Sequence, residues 1–257
     1  MVTLIIGDIV GKCGIEFLKQ HLQKFKKHYN VDFCIANGEN SASNGITPIF
    51  AKEILSAGVD VITMGNHTFD KYNEGVETLS STLPVIRPLN YPAGTPGEGY
   101  IIIETDGISI AVINAMGRIF LDTIDCPFRG IDAVLRRIEG QAQLIFVDLH
   151  AEATSEKLAF AHHLDGRVTT LFGTHTHVQT ADENITPKGM AYISDVGMTG
   201  PIDSILGKNK DQILSRFVTR LNTRAETVDG AVQMCGIIVE ADENTGKAVN
   251  IQRICIS

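Results

Sequence analysis

Five apolar runs in this chain each stop on a side chain that can bind a metal ion. Asp8 follows Leu4-Ile5-Ile6-Gly7, and Glu39-Asn40 follow Phe33-Cys34-Ile35-Ala36-Asn37-Gly38. Asn66-His67 follow Val61-Ile62-Thr63-Met64-Gly65, and His150 follows Leu144-Ile145-Phe146-Val147-Asp148-Leu149. His175 and His177 follow Thr170-Leu171-Phe172-Gly173. Apolar runs of this length read as buried strands. Five strands ending this way imply ligands delivered to one edge of a sheet, where open α/β sheets bind what they bind.

The segments between the runs agree with that architecture. Strand 2–7 precedes a stretch with Phe17, Leu18, His21, Leu22 and Phe25 at helical spacing. Strand 33–37 precedes a helix that Thr47 caps, with Pro48 at its first position. Strand 59–64 leads into a helix around 71–80. Three strand–helix units in succession imply parallel strands with crossover helices. Pro84, Pro88, Pro92 and Pro96 then mark an irregular stretch, followed by strands at 100–105 and 108–114 joined by Asp106-Gly107. A helix, strand 144–149, helix 155–163 and strand 168–172 restore the alternation. Strands near 190–194, 231–240 and 248–256 follow, with a helix at 210–223 and a hairpin turn at Asn244-Thr245-Gly246. The chain reads as one domain over 1–257, with no linker or repeat.

Composition narrows the chemistry. A net charge of −8 argues against wrapping a nucleic-acid polymer, which needs a basic face. It leaves room for a small anionic substrate, because bound cations reverse the local field. The five cysteines have no CxxC spacing and read as reduced, packed thiols. Met1–Val10 is cut by Asp8 and lacks a basic start, and no apolar run reaches membrane-spanning length. The expectation is a cytoplasmic protein without membrane association.

The side chains at the stops are one Asp, one Glu, two Asn and four His, with no thiolate. That mixture suits Mn, Fe or Zn better than Ca or Mg. Seven or eight donors fit two ions roughly 3.5–4 Å apart, sharing a carboxylate and a bridging hydroxide. Singly the stops are weaker: Asp8 reads equally as a turn or cap, Glu39 as an acid opening a polar loop, and His150 as a packed strand-end histidine. Gly65-Asn66-His67 and Gly173-Thr174-His175-Thr176-His177 carry the most information.

These last two motifs resemble the calcineurin-like metallophosphoesterase superfamily. GDIVGK at 7–12, IANGENSASNGIT at 35–47, DVITMGNHTFD at 60–70 and RPLNYP at 87–92 resemble, more closely, the Bacillus-type YmdB-like metallophosphodiesterases. So do DLHAEATSEK at 148–157, GTHTHVQTADE at 173–183 and YISDVGMTG at 192–200. The resemblance implies a four-layer α/β/β/α sandwich with two divalent or trivalent metals, iron or manganese, with zinc as an alternative. It implies that Asp8, Asn40 and His177 hold one ion and Asn66, His150 and His175 the other. Glu39 would bridge them, and His67 would be the general acid.

Three departures from the wider superfamily stand out: Val10 where a second histidine is usual, Glu39 where the bridge is usually Asp, and Thr68 where an acid usually follows Gly-Asn-His. Within the branch, Ile15 and Cys13 occupy positions where Arg and Pro are expected; an Arg there could touch substrate, so that its loss alters binding, but position 15 reads more readily as a surface residue at a helix start. Asp148, on the same strand face as His150, could orient a ligand imidazole or simply make a core-edge hydrogen bond. Glu152 is a further outer-layer candidate. Arg118 and Arg129 could meet a phosphate but read more readily as solvated surface, and His21, His28, His162 and His163 as packing or surface residues.

The resulting expectation is a phosphodiesterase for cyclic nucleotides, 2′,3′-cyclic or 3′,5′-cyclic. Its partner would be a small phosphodiester, and a homo-oligomer is compatible with the sequence. The resemblance also implies effects on biofilm and motility programmes. Two rivals remain: a phosphomonoesterase such as a nucleotidase, and a nucleotide-sensing regulator with little turnover.

Overall fold

A computed structural model describes residues 1–257. The first strand–helix units are β1 (Val2–Ile6), the short β2 (Asp8–Ile9), α1 (Gly11–Tyr29), β3 (Phe33–Asn37), α2 (Pro48–Ala57), β4 (Val61–Thr63), α3 (Tyr72–Leu79) and β5 (Val85–Ile86). Next come β6 (Tyr100–Thr105), β7 (Ile108–Met116), α4 (Pro127–Arg137), β8 (Leu144–His150), α5 (Thr154–Leu164) and β9 (Thr170–Thr174). The remaining elements are β10 (Asn184–Ile185), β11 (Ala191–Ile193), β12 (Met198–Pro201), α6 (Lys210–Thr219), β13 (Val232–Asp242) and β14 (Lys247–Ile256).

The strands form two sheets. The first has the order β2-β12-β13-β1-β3-β4-β5, with β14 on the other edge of β13. The second has the order β10-β11-β9-β8-β7-β6. β1, β3, β4 and β5 run parallel in the first sheet, and β7, β8, β9 and β11 in the second. The five polar stops therefore come from two sheets, β1, β3 and β4 in one and β8 and β9 in the other. The expectation of a single sheet edge is corrected: strand-end chemistry alone does not say which sheet a strand joins.

Strand alternation builds the layers. Leu4, Ile6, Cys34, Ala36 and Ile62 pack outward against Ile15, Leu18 and Leu22 of α1 and Ile54 of α2. Their neighbours Ile5, Phe33, Ile35 and Val61 point the other way and meet Ile110, Val112, Leu144, Phe146 and Phe172 of the second sheet. On the far side, Ala111, Ile113, Val147 and Leu149 pack on Ile131 of α4 and Phe160, Ala161 and Leu164 of α5. Helix, sheet, sheet, helix is the four-layer sandwich expected. Both faces of each parallel strand are covered, so these strands read as unbroken apolar runs rather than alternating ones.

Local details follow the sequence closely at several places. Thr47 Oγ1 accepts from Phe50 N at 3.2 Å, with Pro48 opening α2. Asp106 and Gly107 have φ of +52° and +81°, the left-handed pair that a two-residue hairpin requires. Helix α6 ends at Thr219 rather than 223, with Arg220 left-handed at φ +61°. The short strands β2, β5, β10 and β12 have no pattern long enough to see in the sequence. Ile15 is fully buried in the α1 core, which corrects the reading of position 15 as a surface residue. The five cysteines are free thiols, and no helix is long and apolar enough to cross a membrane.

Candidate metal centre

The strand ends of both sheets converge. Asp8, Glu39, Asn40 and His150 are buried, at 0, 1, 4 and 0% exposure. Asn66, His67, His175 and His177 surround them. The closest grouping is around Nε2 of His150, with Asn66 Oδ1 at 2.9 Å, Glu39 Oε1 at 3.0 Å and His175 Nδ1 at 3.0 Å. A second grouping joins Asn40 Nδ2 to His177 Nε2 at 3.2 Å, with Asp8 Oδ1 3.8 Å from that nitrogen. Glu39 Oε1 lies between them, since it also accepts from Asn40 Nδ2 at 3.3 Å.

Glycine makes this approach possible. A Cβ on Gly65 would stand 2.3 Å from the His150 ring, and one on Gly173 would stand 1.8 Å from the Ser194 carbonyl oxygen. Only a residue without a side chain lets β4 and β9 deliver their loops this close.

Each imidazole has its remote nitrogen already engaged. Thr174 Oγ1 donates its one proton to Asp148 Oδ1 at 2.7 Å, so toward His150 Nδ1, 2.9 Å away, it accepts. The other Asp148 oxygen accepts from Thr63 Oγ1 at 2.5 Å and from Asn37 Nδ2 at 3.3 Å. His175 Nε2 lies 3.1 Å from Glu152 Oε2, and His177 Nδ1 donates to the Leu206 carbonyl at 3.2 Å. Carboxylates and carbonyls on the far side of an imidazole are how metal-binding histidines are oriented. His150 Nε2, His175 Nδ1 and His177 Nε2 thereby face the centre, where a metal ion taking the place of the His150 proton would find three imidazole lone pairs.

The His-x-His loop is held against its own preference. His175 and His177 have φ of +100° and +63°, a region that costs non-glycine residues about 1–3 kcal/mol each. A buried ion pair fixes it: Lys157 Nζ lies 2.9 Å from Asp195 Oδ2 and donates to Thr174 O at 3.0 Å. The same Asp195 oxygen accepts from Thr176 N at 3.0 Å. His67 sits at the rim, with Nδ1 2.8 Å from Asp70 Oδ2 and 3.3 Å from Asn44 Nδ2. Asp70 thus supplies the carboxylate that Thr68, three residues from Gly65 and bonded to its carbonyl, does not.

The electrostatics ask for positive charge. Burial pushes the Asp8 carboxyl well above its ordinary range, with Asp195 and Glu39 adding to the effect. Burial also pushes Asp148 up, to about 6. Burial would raise Glu39 too, but His150 and His67 beside it together more than offset that and hold it at about 2. Burial disfavours the His150 imidazolium, yet Glu39, Asp8 and Asp148 together lift its pKa to about 9. Burial and the neighbouring His150 push His175 down to about 3. Asp8, Glu39 and Asp148 thus gather around His150, an arrangement of acids that a bound cation would stabilise.

The residues fit metal ions. Three electron-rich atoms crowd His150 Nε2 within 3.0 Å, and a single proton can satisfy only one of them. The buried Asp8 Oδ1 has no hydrogen-bond partner at all. Glu39, His150 and His175 offer donor atoms all within 4.8 Å of one another. Asn40 currently points its amide nitrogen inward, and a half-turn presents the carbonyl in the same volume.

Every residue named from the sequence at the stops lies in this centre. Asp148 and Glu152 act behind the imidazoles. Arg118 and Arg129 are exposed and do not line the cleft at the centre, and His163 pairs with Asp132 at 2.9 Å. Sequence reasoning missed Asp70, Lys157, Thr174 and Asp195. Asp195 carried a visible signal: it follows Ala191-Tyr192-Ile193-Ser194, a sixth apolar run with a polar stop.

A family model described as YmdB-like protein matches residues 4–254. A 2′,3′-cyclic-nucleotide 2′-phosphodiesterase from Bacillus subtilis is 45% identical over 258 residues, covering 100% of this chain and 97% of its own. A solved structure described as a novel phosphatase from Mycoplasma pneumoniae has a TM-score of 0.94 at 35% identity, covering 100% of this chain and 93% of that one. The calcineurin-like phosphoesterase YfkN from Bacillus subtilis has a TM-score of 0.61 at 12% identity, with 100% and 90% of the two chains covered, and shares the fold.

Proposed function

The chain belongs to the YmdB-like protein family, and from that premise we propose that it is a dinuclear metal-dependent phosphodiesterase acting on cyclic nucleotides. The substrates would be 2′,3′-cyclic nucleoside monophosphates, 3′,5′-cyclic ones, or both. Asp8, Asn40 and His177 would hold one ion and Asn66, His150 and His175 the other, with Glu39 shared. Bound there, the ions would polarise the phosphoryl oxygens and make a nucleophile of water at neutral pH. The mixed oxygen and nitrogen donors favour iron or manganese, with zinc as the alternative. On the same reading residues 1–257 form one metallophosphoesterase domain, since both sheets contribute to one centre.

The chain's own residues supply orientation and the proton. Thr174, Glu152 and Leu206 fix which nitrogen each ligand histidine presents. Asp70 engages His67 Nδ1, which leaves Nε2 free on a residue that lines the cleft. From there His67 protonates the departing sugar oxygen, the task a rim histidine outside the ligand set can perform.

The crowding of Asn66, Glu39 and His175 around His150 Nε2 supports this reading most strongly. Elemental analysis of protein expressed without added metal, with bis-p-nitrophenyl phosphate hydrolysis, tests it. Close to two transition-metal ions per chain and metal-dependent turnover are expected; no bound metal, or turnover untouched by chelation, sinks it. The Mycoplasma pneumoniae neighbour described as a phosphatase favours a second reading, a phosphomonoesterase. Matched mono- and diester substrates separate the two.

A further inference from the structure

We propose that α6 carries a second phosphate-binding subsite. The substrate class would then be a nucleoside 2′,3′-cyclic phosphate bearing a further phosphate on its 5′ oxygen. This inference rests on the cyclic phosphodiesterase reading.

The cleft at the centre has a volume of about 870 Å³, near the upper end of the roughly 300–1,000 Å³ typical of small-ligand sites. One wall is the centre itself, with Glu39, Asn40, His67, His175 and His177. α6 and its flank line the same cleft, with Arg216, Phe217, Arg220 and Leu221. Helices in globular proteins usually gain their stability by packing an apolar face on a core. α6 buries none of its ten residues, and Phe217 and Leu221 are 70% and 64% exposed. Its body is free to meet a ligand.

The root of the helix is nonetheless fixed to the centre. The Leu206 carbonyl accepts from the ligand His177, and Lys208 Nζ donates to Ser43 O at 3.1 Å, Ser43 Oγ at 2.9 Å and Asn44 Oδ1 at 3.1 Å. Asn209 Oδ1 caps the helix by accepting from Gln212 N at 3.1 Å. An arm held this way keeps Arg216 and Arg220 in register with the metal ligands.

Charge points to the ligand. The protein has a net charge of −8, yet Arg216 and Arg220 line this cleft, and Lys71, Lys208, Arg216 and Arg224 line the adjoining cavity. The arginine ion pairs of the chain are Arg167–Asp132 and Arg253–Glu183, so Arg216, Arg220 and Arg224 lack carboxylate partners. The acids of the two cavities are engaged elsewhere, Glu39 with His150 and His67 N, Glu152 with His175, and Asp70 of the adjoining cavity with His67. Guanidinium forks match phosphate oxygens in bidentate geometry. The centre takes the phosphate that is cleaved, so these arginines face another one. Phe217 offers a ring face on which a base can stack. The overall negative charge disfavours a long polyanion and keeps the recognised segment short.

A 5′ phosphate can belong to a free nucleotide or to the internucleotide link at an RNA end. The test compares three substrates on metal-loaded protein: uridine 2′,3′-cyclic phosphate, its 5′-phosphorylated form, and the dinucleotide UpU ending in a 2′,3′-cyclic phosphate. Wild type should favour the two bearing the extra phosphate by about tenfold or more in kcat/KM, mainly through KM. R216A/R220A should bring that ratio close to one, and R216K/R220K should restore part of it. Faster turnover of the dinucleotide assigns the phosphate to an RNA end, and faster turnover of the 5′-phosphorylated monomer to a free nucleotide. Equal turnover of all three by wild type, or a ratio that survives R216A/R220A, overturns the subsite while leaving the phosphodiesterase reading intact. Hydrolysis of none removes that reading and the subsite with it.

Discussion

The two sheets contribute to the centre in different chemical currencies. The first, through β1, β3 and β4, brings oxygen donors: Asp8, Glu39, Asn40 and Asn66. The second, through β8 and β9, brings imidazoles: His150, His175 and His177. Their supports differ in the same way. Backbone groups serve the oxygens, as when His67 N donates to Glu39 at 2.9 Å and His175 N to Asp8 at 3.2 Å. Behind the imidazoles stands a further tier of side chains, Asp148, Thr174, Glu152, Lys157 and Asp195. A carboxylate offers equivalent lone pairs in several directions, whereas an imidazole must be told which nitrogen to present. The half of the site that uses histidine therefore needs the additional scaffold.

Variants that strike each half separately probe this contrast. The largest effect is expected at Glu39, the oxygen donor common to both groupings: Glu39→Gln should lower kcat by about four orders of magnitude and reduce metal content, read by steady-state kinetics with elemental analysis. His67→Ala should cost about 10²–10⁴-fold in kcat with metal content intact; lost metal would instead make His67 a ligand. On the imidazole side, Lys157→Met leaves Asp195 buried without its partner and should destabilise the protein by about 3–5 kcal/mol in denaturant titrations. Thr174→Val breaks the relay from His150 to Asp148 and should weaken metal affinity about 10–100-fold while kcat recovers at saturating metal. A kcat that stays low at saturation would erase the distinction between donor and scaffold. Glu152→Gln, on a half-exposed side chain, should change metal affinity by less than about tenfold.

The donor side of the contrast was legible in the sequence, because each donor directly follows a strand and chain order alone puts it at a carboxyl end. The supporting tier was legible only where it shared a strand or loop with a donor, as Asp148 and Glu152 do. Lys157 and Asp195 meet across 38 residues and two elements, and no local window contains both. Leu206 acts through its main-chain carbonyl, so its side-chain identity carries no message. Asp70 is not legible from the Gly-Asn-His motif, since the turn places the third residue after His67, rather than the next one, against its ring. That the donors divide between two sheets was likewise invisible from strand ends alone; only the resemblance to a known fold anticipated it.

Asp148 has a consequence beyond orienting one histidine. Its carboxylate joins Asn37 of β3 and Thr63 of β4 to Thr174 of β9, stitching one sheet to the other directly beneath the centre. Ions seated above that stitch would bind only when both sheets are in place, so the free energy of loading would add to the free energy of folding. At a free metal concentration 100 times the dissociation constant this linkage amounts to about 2.7 kcal/mol per site. Metal scarcity would then lower the lifetime of the protein as well as its turnover, making its cellular abundance a record of metal supply.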